Sequence, residues 1–269
     1  MRKSLFAFLA VAVAAALALA ACDRNGASST GTSADAPDAG GDSLRVLVFS
    51  KTGGYRHASI PEGVAAVEEI AKRLGYAADA TEDSTRFAGD GLDGYAAVVF
   101  LSTTGDVLGP AGEAGFERFI RRGGGYVGVH AAADTEYDWP FYGQLVGRYF
   151  RQHPPHQRGR IHVVPDNGFE AATAGFGDSL TLFEEWYEYG PELAADLRYL
   201  YRLDTNTVDL RAWKGPSEMG AFHPLGWYHE HAGGRAFYTG IGHMEATFTR
   251  PDFRDHLRAG LRWAATGER

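Results

Sequence analysis

Residues 123–134 constrain the fold of this chain more than any other stretch. A short apolar run, residues 126–129, is typical of a buried strand, and a polar His130 follows it among residues with very small side chains. The motif Gly128-x-His130-x-Ala132 has the form of a nucleophile elbow, in which small residues let a strand turn sharply into a helix and expose the central side chain above a sheet. Here the central residue is a histidine, which binds metals and transfers protons but is a poor acyl-transfer nucleophile.

Segments of strand and helix character alternate along the first half of the chain. Predicted strands cover residues 44–49, 76–81, 95–101 and 126–129, where apolar side chains dominate. Predicted helices begin at Pro61 and Pro110, carry apolar residues at helical spacing, and end at Gly75 and Gly123. This alternation predicts an α/β fold with a mostly parallel central sheet.

Polar residues follow three of the predicted strands directly. His57, residues 102–104 and His130 come after the first, third and fourth strands, respectively. Ligands of open α/β sheets bind at the carboxyl ends of the strands. We therefore expect these three segments to face one crevice.

The second half of the chain lacks this regular alternation. Residues 135–230 are expected to elaborate the same sheet, because no internal repeat and no clear second domain is present. Strand-like segments occur at 161–164, 198–203 and 218–222, whereas residues 180–189 fit a strand or a short helix and residues 223–227 a loop or strand end. Residues 235–243 predict a strand and a glycine-flanked turn, and the last helix is predicted at 251–265. Residues 44–266 are expected to form one domain.

The amino terminus has the features of a secretory signal peptide over residues 1–21, with a basic start and an uncharged apolar run. Leu19-Ala20-Ala21-Cys22 resembles a bacterial lipobox, which would make Cys22 the lipidated first residue; cleavage after an ordinary Ala-x-Ala pattern is the alternative. Residues 22–43 lack aromatic side chains and are expected to form a flexible tether. These features predict a periplasm-facing lipoprotein of the bacterial cell envelope, attached to the membrane through its lipid anchor only.

Charge and cysteine content exclude several classes of function. Removal of the signal peptide leaves a net charge near −10, which argues against nucleic acid as a partner. The single cysteine of the chain is Cys22, so the predicted domain contains neither a thiol nucleophile nor a thiolate metal ligand. The glycine-rich loop at 50–57 does not match a phosphate-binding motif, and nucleotide binding is not expected.

Histidines are the main candidates for chemistry. His57, His130, His153 and His243 all occur where strands or turns end, and glycine lies next to or near three of them. Converging imidazoles hold Zn²⁺ or another divalent ion, and a metal site at His57, His130 and His243 is one hypothesis. None of these histidines shows the close spacing of a motif such as H-E-x-x-H. Hydrogen-bond donors and proton carriers around a polar ligand are therefore the rival interpretation.

Acidic, basic and aromatic residues add further candidates. Asp134 lies four residues after His130 and could orient it, or simply cap a helix. Of Glu184 and Glu185, only one would face the crevice on a strand, and a glycosidase pair with Asp134 is conceivable. Arg56 could clamp a hydroxyl or carboxylate of a ligand, but its loop favours a surface position. The aromatic residues that could stack on sugar rings are Trp139, Tyr142, Trp186, Tyr187, Trp227 and Tyr228, of which two or three are expected to contact a ligand.

Taken together, these motifs resemble the ThuA-like (trehalose utilisation) family from about residue 44 to residue 265. The resemblance is carried by Gly54-Tyr55-Arg56-His57, residues 128–134, residues 139–154, Glu184-Glu185-Trp186-Tyr187 and residues 234–243. It implies a flavodoxin-like three-layer sandwich, similar to class I glutamine amidotransferases. In those relatives a catalytic cysteine stands at the elbow, whereas this chain has His130, so glutaminase activity is not expected. The family commonly has Asp-Glu where this chain has Glu184-Glu185, which favours Glu185 as the site residue.

The resemblance also implies a role in carbohydrate use, including 3-keto sugars. We expect a carbohydrate-processing protein acting on a glycoside or 3-keto sugar, with a non-catalytic sugar-binding envelope lipoprotein as the alternative. The expected catalytic residues are His130, His57, Asp134 and Glu185. The expected substrate contacts are Arg56, His153, Tyr187, Trp227 and His243.

Overall fold

The computed structural model describes residues 43–212 and 214–269. The predicted signal peptide, the lipidation site at Cys22 and the tether up to residue 42 lie outside the described residues. Within the described part of the chain, no helix has the length and apolar character needed to cross a membrane.

Thirteen strands and four α-helices make up the described chain. The strands are β1 (Arg45–Phe49), β2 (Ala77–Thr81), β3 (Tyr95–Leu101), β4 (Gly125–Val129), β5 (Phe150–Gln152), β6 (Gln157–Val163), β7 (Ser179–Glu184), β8 (Glu188–Tyr189), β9 (Arg198–Asp204), β10 (Arg211–Ala212), β11 (Gly215–Pro216), β12 (His223–His231) and β13 (Gly234–Thr239). The helices are α1 (Ile60–Arg73), α2 (Gly109–Arg121), α3 (Pro140–Val146) and α4 (Pro251–Thr266).

Nine of these strands form one sheet in the order β2-β1-β3-β4-β13-β12-β9-β6-β7. The first five are parallel neighbours, and every later pairing is antiparallel. Because the last four strands alternate in direction, β9 and β7 again point the same way as β4. Seven of the nine strands therefore share one direction, which confirms the predicted α/β class with a mostly parallel sheet.

Helices cover both faces of the parallel half, as a three-layer sandwich requires. Neighbouring residues of β13 show the two faces, since successive side chains of a strand point in opposite directions. The ring of Phe237 contacts His256 of α4. Tyr238 stacks on Trp227, whose indole nitrogen donates a hydrogen bond to the carbonyl of Val146 in α3. The core therefore lies on both sides of the sheet.

The second half differs most from the sequence-based expectation at residues 218–227. Residues 218–222 were expected to be a strand and residues 223–227 a loop or strand end, but the strand is β12, which begins at His223. A tight hairpin joins β12 to β13, with Ala232 at φ +52° and Gly233 at φ +97°. Positive φ at both central residues suits the right-handed twist of the two strands. The hairpin places the turn after β13 beside β4.

Candidate functional site

The elbow after β4 brings His130 to the centre of a histidine cluster. His130 has φ +50°, and the 3₁₀ helix His130–Asp134 follows the strand directly. A Cβ atom on Gly128 would lie 2.5 Å from the hydroxyl of Tyr126, so only glycine fits there without displacing that ring. The predicted sharp turn is confirmed. The predicted exposure is wrong, because the His130 side chain is fully buried.

A backbone carbonyl fixes the proton on the His130 ring. Nδ1 lies 2.9 Å from the carbonyl oxygen of Gly240, and since a carbonyl only accepts, Nδ1 must carry the hydrogen. In neutral His130, Nε2 then presents a lone pair to the cluster. Asp134 was expected to orient this ring, but its carboxylate instead accepts a hydrogen bond from Tyr137. Burial raises the pKa of Asp134, although the Tyr137 hydrogen bond opposes this.

Glu185, in the connection after β7, lies among four imidazoles. Its Oε2 atom is 3.2 Å from Nε2 of His130 and 3.1 Å from Nδ1 of His243. Its Oε1 atom is 3.2 Å from Nε2 of His153 and 2.8 Å from Nε2 of His156. Burial alone raises the pKa of Glu185, but the contacts with His130 and His243 outweigh it and lower the pKa.

Three ligand-type atoms form a nearly equilateral triangle. Nε2 of His130 and Nδ1 of His243 are 3.3 Å apart, and each lies 3.1–3.2 Å from Oε2 of Glu185. Zinc binds nitrogen at about 2.0–2.1 Å in tetrahedral sites, so neighbouring ligand atoms are about 3.3 Å apart. The triangle therefore has the dimensions of one tetrahedral face.

His57, in the loop after β1, completes the group. Its ring centroid lies 4.8 Å from that of His130 and 5.1 Å from that of His243. Ligand atoms of His57, His130, His243 and Glu185 all lie within 4.8 Å of one another. The His57 side chain is buried, and its Nδ1 has no hydrogen-bond partner among the described residues. Burial, followed by the charges of His130 and His243, lowers the pKa of His57 to about 2.

The turn after β13 positions His243 through Glu184 rather than Glu185. The Glu184 carboxylate accepts hydrogen bonds from the His243 backbone N–H at 3.2 Å and from the Thr247 hydroxyl. Gly242, at φ +132°, adopts a conformation that other residues rarely reach. The two adjacent acids thus have different surroundings, as the alternation of a strand predicts. Glu184 stabilises the turn after β13 by hydrogen bonds, and Glu185 contacts the histidines.

The remaining candidates occupy three different environments. Arg56 is exposed and forms an ion pair with Glu82 at 2.7 Å. Trp227 lies in the core, with its indole N–H bonded to Val146, and so offers no surface to a ligand. Tyr187 is buried against the His130 ring, with the centroids 4.3 Å apart. The Tyr187 ring therefore packs against the ring of His130.

His156 is the residue that the sequence-based set of site residues missed. It has the shortest of the four imidazole contacts with Glu185 and is the most exposed of these histidines. The available signal is the short spacing of His153-Pro-Pro-His156, in a loop that precedes β6. Because β6 starts at the edge where β4 and β7 end, this loop reaches the cluster.

Comparison with known proteins identifies the family and agrees with the fold. The model of the ThuA family, described as trehalose utilisation, matches residues 45–264. A ThuA-like protein from Bacteroides uniformis superimposes with a TM-score of 0.70 at 22% identity, over 87% of this chain and 96% of that one. Another from Parabacteroides merdae gives a TM-score of 0.66 at 20% identity, over 84% and 91%.

More distant likeness is limited to the fold. A β-galactosidase from Bacillus circulans sp. alkalophilus gives a TM-score of 0.51 at 15% identity, over 81% of this chain but 30% of that one. No curated protein sequence matches the chain. The family match covers most of the chain and includes every histidine that contacts Glu185. This chain therefore belongs to the ThuA (trehalose utilisation) family, which connects it with carbohydrate use.

Proposed function

We propose that this chain is an enzyme that acts on a glycoside or 3-keto sugar at the cluster around His130 and Glu185. The observation that carries the proposal is a buried carboxylate in contact with four imidazoles, at the sheet edge where α/β proteins bind ligands. Catalytic sites concentrate interacting titratable groups of this kind.

We also propose that His57, His130 and His243 hold a divalent metal ion, zinc in the first instance, with Glu185 as the fourth ligand. Neutral His130 cannot donate from Nε2 to Glu185, because its proton is on Nδ1. A cation between Nε2 and Oε2 satisfies both lone pairs, and the tetrahedral dimensions of the triangle support it. Donation of Nδ1–H to a backbone carbonyl is also how metal-bound histidines are usually oriented. A divalent ion held by these four ligands would polarise a carbonyl or hydroxyl oxygen of the sugar only by accepting it as a fifth ligand.

In this proposal Asp134 transfers the proton. Burial raises the pKa of Asp134, which suits a carboxyl group that both accepts and returns a proton. With a 3-keto glycoside, Asp134 takes the proton from C2, the electron pair forms a C1–C2 double bond, and the C1–O bond breaks. The proton then passes from Asp134 to the departing oxygen. The products are an unsaturated keto sugar and an alcohol, so no oxidant or reductant is needed.

The experiment is an activity screen of the purified full chain on disaccharides and their 3-keto forms, with the products followed by mass spectrometry. We expect turnover by the wild type and its loss in His130→Ala. His162→Ala is the control, because His162 pairs with Asp204 outside the cluster. Equal turnover by His130→Ala would overturn the proposal. Binding without turnover would instead support the sugar-binding alternative.

We further propose that the chain is a lipoprotein facing the periplasm, with Cys22 lipidated and the membrane contacted only through the anchor. The support is the basic and apolar start followed by the only cysteine of the chain. Labelling cells with a radioactive fatty acid should mark the wild type but not Cys22→Ser. Equal labelling of both proteins would contradict lipidation at this residue.

A further inference from the structure

Glu185 presents two oxygens to two different pairs of histidines. Oε2 contacts His130 and His243, while Oε1 contacts His153 and His156. Ligand-type atoms of His153, His156 and Glu185 lie within 4.8 Å of one another, as those of the inner group do. The carboxylate is thus the shared member of two separate groups of metal-ligating atoms.

One member of the outer pair, His153, repeats the orientation found at His130. Nδ1 of His153 lies 2.9 Å from the carbonyl oxygen of Pro154 and must carry the ring hydrogen. Nε2 of a neutral His153 therefore points a lone pair at Oε1 of Glu185, 3.2 Å away. At both oxygens of Glu185, then, a histidine with its proton fixed on the far nitrogen faces the carboxylate. A lone pair facing an anionic oxygen is repulsive unless a cation, either a second ring proton or a metal ion, lies between them.

We propose that His153, His156 and Oε1 of Glu185 bind a second divalent cation, so that Glu185 bridges two metal ions. This inference rests on the inner metal site proposed above. Paired ions in two-metal enzymes are about 3.5–4 Å apart, a distance that one carboxylate spans. The nitrogen-rich ligands select zinc, cobalt, nickel or copper over magnesium and calcium.

Burial gives the two sites different accessibility. The inner ligands are nearly inaccessible, with side-chain exposure of 0% at His130, 5% at Glu185 and 12% at His243. His153 and His156 are 28% and 39% exposed. The outer ion is therefore the one that exchanges with solvent and can keep open positions for ligand oxygens. The outer ion, with three protein ligands, would hold an oxygen of a sugar, which is the substrate chemistry that this arrangement fits.

The test is metal stoichiometry, which does not depend on enzymatic activity. The full chain is stripped with chelator, titrated with Zn²⁺, passed through a desalting column and analysed for zinc by mass spectrometry. We expect two zinc ions per wild-type chain and one per His156→Ala chain. Loss of one ligand should weaken the affinity for the second ion by roughly tenfold or more. His162→Ala should retain two ions.

Other zinc counts would contradict the second site or both sites. One ion per wild-type chain, or two per His156→Ala chain, would overturn the second site while leaving the inner site intact. No retained zinc in the wild type would overturn both. His156 is partly exposed, so its replacement should leave the fold intact, and His153→Ala provides an independent variant of the same site. Replacement of zinc by Co²⁺ gives a second readout, since only paired ions show magnetic coupling, which His156→Ala should abolish.

Discussion

At the residue scale, the adjacent acids Glu184 and Glu185 have different roles. Glu184 is fully buried, and burial raises its pKa even though the Thr247 hydroxyl opposes the shift. Its carboxylate satisfies the backbone N–H of His243 and the hydroxyl of Thr247. Glu185 satisfies no backbone group of that turn and instead contacts imidazoles. Glu184 therefore stabilises the fold, and Glu185 forms part of the candidate site.

Glu184→Ala and Glu185→Ala should separate these two roles. Glu184→Ala leaves three donors, the Thr247 hydroxyl and the backbone N–H groups of Glu185 and His243, without their acceptor and should lower the free energy of unfolding by about 2–4 kcal/mol. In chelator-treated protein Glu185→Ala should lower it less, and it should abolish zinc retention because it removes the shared carboxylate. Urea unfolding and zinc analysis measure the two effects. Equal loss of stability in both variants would contradict the division of roles.

A buried histidine far from the cluster predicts a pH dependence of stability. His256 in α4 packs among aromatic rings, and its Nδ1 donates to the carbonyl of Ala172 at 2.6 Å. Burial lowers the pKa of His256 to about 4 from the ordinary 6.5. Between these values the unfolded chain binds the proton more tightly, so stability is full above pH 6.5 and falls as the pH drops towards 4. The loss from this residue is about 3 kcal/mol.

His256→Phe should flatten this pH dependence by the amount that one histidine contributes, measured by urea unfolding between pH 4 and pH 7. Phe253→Leu is the matched control, since it disturbs the same aromatic cluster without removing a titratable group. It should lower stability at every pH and leave the slope unchanged. A His256→Phe slope equal to that of the wild type would show that this histidine is not protonated on unfolding.

Single residues also show which parts of the candidate site can be predicted from sequence. His57, His130 and His243 were identified because a histidine at a strand end or among glycines is an informative pattern, and the structure brings all three together. The group that orients His130 is the carbonyl of Gly240, 110 residues away. A backbone carbonyl carries no residue identity, so no pattern could have indicated it, and Asp134 was the plausible but incorrect choice.

At the scale of elements, a side chain from one segment caps another. The helix α2 has no side-chain cap of its own. Instead, Oε1 of Glu136 accepts hydrogen bonds from the backbone N–H groups of Val107 and Leu108, each at 2.9 Å. Although burial raises the pKa of Glu136, these bonds favour its charged form. A carboxylate at this end also interacts favourably with the helix dipole.

Glu136→Ala should therefore destabilise the chain by about 1–3 kcal/mol, because it leaves two buried N–H groups unpaired. Thermal or urea unfolding checks this value. Glu62→Ala serves as the control, since Glu62 is an exposed acid in the first turn of α1 and its loss should cost less than about 0.5 kcal/mol. A loss at Glu136 as small as that at Glu62 would contradict the capping role.

The strands and helices can be predicted from sequence, but their order in the sheet cannot. Local pattern predicted β1, β3, β4, α1 and α4 to within about two residues, because each is long or strongly apolar. Sheet order is not a local property. The position of β7 at the far end of the sheet, with its carboxyl end at the same edge as that of β4, follows from a series of antiparallel pairings. That geometry brings Glu185 into contact with both His130 and His156.

At the scale of the whole molecule, the proposed metal site joins distant parts of the chain. His57 follows β1, His130 follows β4, Glu185 follows β7 and His243 follows β13. An ion held by these residues binds only the folded chain, because the unfolded chain separates them. Binding to the folded state alone raises the free energy of unfolding by about 2.7 kcal/mol when the free ion is at 100 times its dissociation constant.

For a domain of this size, that gain corresponds to a rise in melting temperature of roughly 5–10 °C. We expect chelator-treated protein to melt lower by this amount and to recover when Zn²⁺ is added. Magnesium should not restore the melting temperature, because imidazole ligands disfavour it. In Glu185→Ala, zinc should have little effect, since the ligand shared by both proposed sites is absent. Identical melting curves for stripped and zinc-supplemented wild type would mean that the cluster is held together by hydrogen bonds among its own side chains.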